Sequence, residues 1–117
     1  MDKILSEFYI LDENHNPVPV EDHQAYYDWM AGRKEQVRRV AMTKFPDGTY
    51  ISTVFLGMDH GWGLLGENPV LFETMVFSQG EEGKYCRRYT TWAAAEYGHK
   101  EIVADWALRI LSHDFDD

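Results

Sequence analysis

The 117-residue sequence predicts an α+β fold, a four-stranded antiparallel sheet with an N-terminal hairpin, one inserted helix and a long C-terminal helix packed on it. Three observations carry that expectation. Residues 38–45 and 49–56 are β-rich runs flanking Pro46-Asp47-Gly48, the strongest hairpin signal in the chain. Residues 71–77 form a near-continuous apolar run, and the polar stretch 78–83 separates it from a further strand-like segment at 84–90. From Trp92 to about Ser112, the residues Ala95, Gly98, His99, Ile102, Val103, Trp106 and Ile110 recur at helical period on one face.

Each element has a local reason. Phe8-Tyr9-Ile10-Leu11 is β-prone, and residues 12–17 supply turn chemistry in which Asn14 or Asn16 can take a left-handed conformation and Pro17 fixes φ. Val18-Pro19-Val20 returns as an edge strand, because proline cannot donate to a ladder. Residues 21–34 read as a helix. Glu21 and Asp22 suit the positive end of its dipole, and Arg33 and Lys34 the negative end. Tyr26, Trp29 and Met30 form its core stripe, and Gly32 weakens or stops it. In the next hairpin Gly48 takes the φ > 0 position. Thr90 or Thr91 caps the last helix. Gly98 costs that helix about 1 kcal/mol relative to alanine, which close approach of its backbone to the sheet would explain.

One strand does not fit a sheet with a wet face. In 49–56 one side reads Tyr50, Ser52, Val54, Leu56 and the other Ile51, Thr53, Phe55. Both are half apolar, where clean alternation is expected. Either helices cover both faces or a second subunit does, so a homodimer is a partner expectation.

Composition narrows the function classes. The length suits a single domain, residues 1–117, with a flexible acidic tail at 113–117. Eleven Lys and Arg against 20 Asp and Glu give a formal charge of −9, which opposes general nucleic-acid binding. The excess is uneven, since residues 33–44 hold five bases and one acid, whereas residues 46–83 hold six acids and no base. No run approaches the roughly 20 apolar residues of a membrane span, and the first seven residues lack the apolar stretch of an export signal. With a single cysteine, Cys86, the expectation is a cytoplasmic protein with no membrane partner and no cofactor.

The strings Leu56-Gly57-Met58-Asp59-His60, Leu71-Phe72-Glu73-Thr74-Met75-Val76-Phe77 and Tyr89-Thr90-Thr91-Trp92 followed by Gly98-His99 resemble a family of short proteins common in bacteriophage genomes and prophages. The similar stretch covers about residues 37–100. The resemblance implies phage-type origin and action in the host cytoplasm. It implies no reaction and no catalytic residues.

Two groups of residues carry functional hypotheses. The Gly-rich connection 57–68 presents Met58, Asp59, His60, Trp62, Leu64 and Leu65, a candidate partner-binding loop because Trp and Met are enriched at interface cores. Asp59, His60, Glu73 and His99 are ligand types for Zn or Fe and would form a metal or small-ligand site if they converged. The blander alternatives are a structural His99 bonded inside the core, Glu73 paired with Arg87 or Arg88 across the sheet, and Asp59 bonding its own loop. Cys86 has no histidine beside it in sequence and reads as a strand packing residue. No catalytic residue is assigned. The leading reading is a non-enzymatic protein that binds a host or phage protein, in one version inhibiting a host defence or regulatory factor. A homo-oligomeric assembly protein is the further alternative.

Overall fold

The computed structural model describes residues 8–32, 38–59, 68–78 and 85–114. The expected α+β architecture is present. Strands β1 (Phe8–Leu11) and β2 (Pro17–Val20) form an antiparallel hairpin, followed by helix α1 (His23–Ala31). Strands β3 (Arg39–Lys44), β4 (Tyr50–Phe55), β5 (Phe72–Phe77) and β6 (Tyr85–Tyr89) form an antiparallel sheet in sequential order, and helix α2 (Trp92–Asp114) closes the fold.

Local chemistry sets the boundaries. Asp22 caps α1 by accepting the Gln24 N–H at 2.9 Å, and Gly32 ends the helix. The expected extension of α1 to residue 34 lies outside the described residues. Thr91 caps α2, its hydroxyl accepting the Ala94 N–H at 3.0 Å. The turn after β3 closes with the Gly48 N–H donating to Phe45 O at 3.0 Å and Gly48 at φ +95°. In the first hairpin the left-handed residue is His15, at φ +66°, and not Asn14 or Asn16. Asp12 Oδ1 collects the N–H groups of both asparagines, at 2.8 and 2.9 Å. That leaves His15 at the apex, where its ring stacks on Trp92 with centroids 3.9 Å apart. This contact ties the hairpin to the start of α2. Residues 113 and 114, expected to belong to a flexible tail, are the last turn of α2.

The register puts alternate residues of each strand on opposite faces of the sheet. On one face Ile51, Thr53 and Phe55 of β4 and Phe72, Thr74 and Val76 of β5 are fully buried. Helix α2 packs across this face and contacts all four strands. One core cluster joins Leu11, Phe55, Leu71, Phe72, Tyr89 and Ala95, with Tyr9 and Trp29 packed on it. A second joins Ile51, Val76 and Ile102. Hairpin, α1 and α2 thus all bury their apolar residues against the same side. Each fully buried Phe or Ile contributes about 1.5–3 kcal/mol relative to exposure. No described helix is long and apolar enough to cross a membrane.

Candidate functional site

The covered face carries a buried polar chain with one residue from each strand of the four-stranded sheet. His99, 4% exposed on α2, approaches Thr53 Oγ1 through Nδ1 at 2.7 Å and Thr43 Oγ1 through Nε2 at 2.9 Å. The Thr53 and Thr74 hydroxyls bond each other, and Thr74 bonds the Tyr89 hydroxyl at 3.0 Å. Burial pushes His99 below its ordinary value, so the ring is neutral near pH 7. A neutral imidazole has one donor and one acceptor nitrogen, so one of Thr43 and Thr53 donates to the ring and the other accepts from it. Burial likewise raises the Tyr89 hydroxyl, which stays protonated as a donor. This chain has no exposed nucleophile or open ligand position. Gly98 lets it form, because a Cβ there would lie 2.2 Å from Tyr89 Cε1. The close approach anticipated for Gly98 is therefore real, and its object is the Tyr89 ring.

The opposite face is built from the alternate residues and has no described element over it. Three cross-strand rows follow from the register: Lys44, Tyr50, Phe77; Met42, Ser52, Met75, Cys86; and Arg39, Val54, Glu73, Arg88. A β-bulge between Arg39 and Ala41 lets β3 place Arg39 opposite Val54 while Val40 joins the core on the other side. The β3, β4 and β5 residues of these rows, with Phe45 and Gly48, line a groove of about 660 Å³, within the 300–1,000 Å³ typical of ligand-binding clefts. Tyr50 and Phe77 stack on each other across β4 and β5, with centroids 4.6 Å apart. The middle row is thioether and small polar, and both outer rows carry cations at the β3 edge. The formal charge of the three rows is +2, from Arg39, Lys44 and Arg88 against Glu73, in a chain of −9.

The structure separates the residues of the metal hypothesis. Glu73 lies on the open face, where Oε2 accepts from Arg88 Nε at 3.1 Å and from Cys86 Sγ at 3.0 Å. His99 lies on the covered face with both ring nitrogens engaged by hydroxyls. Asp59 accepts the Val70 N–H at 3.0 Å and pins the ends of the loop. His60 lies outside the described residues. A site joining Glu73 with His99 is therefore corrected: the pleat sends them to opposite sides of the sheet. Among the described residues no group of three or more His, Cys, Asp and Glu could hold a metal ion. Of the candidate loop, Met58 is exposed and bridges to Phe8, while Trp62, Leu64 and Leu65 lie outside the described residues. Cys86 is an exposed residue and not a buried packing one. Partial desolvation of its sulfur and the bond to Glu73 raise its thiol above the ordinary value, which makes it a poor nucleophile.

The sequence reading did not single out the groove residues Met42, Tyr50, Val54, Met75 and Phe77 as a site. The signal for them was the double half-apolar pattern of 49–56, which pointed to something on both faces. No protein-family model, curated protein or solved structure matches the chain.

Proposed function

We propose that this chain is a non-enzymatic binding protein of phage type that engages a host or phage protein through the open face of its sheet. One observation carries the reading: the face opposite the helices is half apolar, grooved and uncovered by any described element. Polar groups on the covered face bond each other, and Glu73 is engaged by Arg88 and Cys86, which leaves little for acid–base or nucleophilic work among the described residues. The phage-type strings add the setting, and inhibition of a host defence or regulatory factor is one specific version of this reading. The test is capture from host lysate at near-native expression, comparing wild type with Met75→Glu, which puts a charge in the middle row. Partner proteins are expected with wild type and lost with the variant. An identical set of captured proteins from both would refute a role for this face.

A further inference from the structure

Building on that reading, we infer that the occupant of the open face is an acidic amphipathic helix of another protein. Sheets in two- and three-layer domains bury an apolar face under helices. Here one face is already covered by α2 and the hairpin, and the other presents a partly apolar surface (Met42, Tyr50, Val54, Met75 and Phe77) with nothing described above it. Four strands at about 4.8 Å spacing give a platform wide enough for a helix about 10 Å across. Its centre, Met42 and Met75, suits apolar side chains of varied shape, since the thioether is flexible and polarisable.

Charge decides among the possible occupants. Lys44 ends one outer row, is exposed, and makes no ion pair among the described residues. A carboxylate at the end of an apolar stripe would meet this cation. At physiological ionic strength the screening length is about 8 Å, so a ligand seated here responds to the side chains of this face and not to acids on the far side of the molecule. A second copy placed face to face would bring six cations against two carboxylates, which is repulsive. A polynucleotide fits less well. Tyr50 and Phe77 already stack on one another, and Glu73 stands where a phosphate would pass.

The experiment is selection of 20-residue peptides of random composition from a display library on the intact protein. Binding of enriched peptides is then measured by fluorescence anisotropy against wild type, Lys44→Glu and Met75→Glu. Lys44 is exposed at the edge of the sheet, so its variant keeps the fold, and circular dichroism checks both. The expected outcome is enrichment of Asp/Glu-rich peptides with apolar residues at helical spacing, weakened at least tenfold by Lys44→Glu and by Met75→Glu. Enrichment of basic peptides, no enrichment, or affinity indifferent to Lys44→Glu would overturn the inference. Tighter binding of a 20-nucleotide oligo-dT than of any peptide would assign the face to single-stranded nucleic acid instead. Sedimentation as a dimer that Met75→Glu dissociates would assign it to a second copy. If lysate capture depends on Met75 while the peptide result fails, the binding-face reading stands and only the helix inference falls. If neither depends on Met75, both fall.

Discussion

Replacing Gly98 with alanine sets a gain in helix propensity against a steric conflict, and the structure gives the sign. Alanine is better than glycine in a helix interior by about 1 kcal/mol. The added carbon, however, would sit 2.2 Å from Tyr89 Cε1, 2.4 Å from its hydroxyl oxygen and 2.5 Å from Cζ. The ring must retreat by more than about 1 Å to reach ordinary contact near 3.5 Å. Overpacking of this kind costs about 1–3 kcal/mol. The retreat also breaks the Tyr89–Thr74 bond, worth about 1 kcal/mol net. The balance is a destabilisation of about 1–3 kcal/mol. At this chain length that is a fall in Tm of about 4–12 °C, read by circular dichroism melting and urea titration. A second pair of proteins isolates the cause. In a Tyr89→Ala background the obstacle is gone, and Gly98→Ala should stabilise by about 1 kcal/mol, a reversal of sign. A Tm for Gly98→Ala equal to or above wild type, or the same loss in both backgrounds, would refute the packing account.

Three further outcomes follow from the same geometry. Thr53→Val keeps the shape of the side chain but strips a partner from His99 Nδ1 and from Thr74, so urea titration should show a loss of about 2–4 kcal/mol; a loss under about 0.5 kcal/mol would mean the chain contributes nothing. Because folding holds His99 below its ordinary 6.5, the unfolded chain takes up the proton first as pH falls. The stability contributed by the neutral ring is full above pH 6.5, declines below it with a slope of at most about 1.4 kcal/mol per pH unit, and stops declining once the folded value is passed; His99→Gln should abolish this slope in urea titrations between pH 5 and 7.5, and an unchanged slope would count against it. Arg88→Leu leaves the Glu73 carboxylate, 12% exposed, with only the Cys86 thiol, and thermal melts at pH 7 should show a cost of about 1 kcal/mol, whereas breaking the exposed Arg87–Glu101 pair with Arg87→Leu should cost less than about 0.5 kcal/mol.

Much of the architecture was legible because it rests on local chemistry. Pro46-Asp47-Gly48 forces a turn whatever surrounds it, and Asp22 and Thr91 cap the helices they precede. Side-chain partners were less legible, since they depend on register. Glu73 meets Arg88 only because β5 and β6 pair Glu73 with Arg88, a one-in-two choice between Arg87 and Arg88 that the sequence left open. His99 read as a core histidine, but that its partners are the Thr43 and Thr53 hydroxyls was not legible. Thr43, Thr53 and Thr74 look like ordinary strand formers until the sheet aligns them. His15 took the left-handed position expected of asparagine where Asp12 holds the N–H groups of both asparagines, and its ring stacks on Trp92, 77 residues away in sequence. Glu73 and His99 are separated for the same reason: ligand types can be counted in a sequence, but the side of the pleat each one occupies is set by pairing.

The two faces of the sheet divide the strand alternation into two different surfaces. On the covered face the polar residues bond one another, and isosteric apolar residues there would fold as well or better. The chain joins α2 through His99 to Thr43, Thr53, Thr74 and Tyr89, one residue on each of the four strands. The open face is different. A purely solvent-facing surface would alternate charged and β-branched polar residues, as sheets with one wet side do. Met42, Val54, Met75, Tyr50 and Phe77 are instead half-buried by one another and incompletely covered. Their remaining apolar area is free energy not yet realised, at about 25 cal/mol per Å². A rigid sheet held in register from behind presents that area without reordering, which lowers the entropic cost of association. Rigidity on one side and unfinished burial on the other are what a binding platform requires.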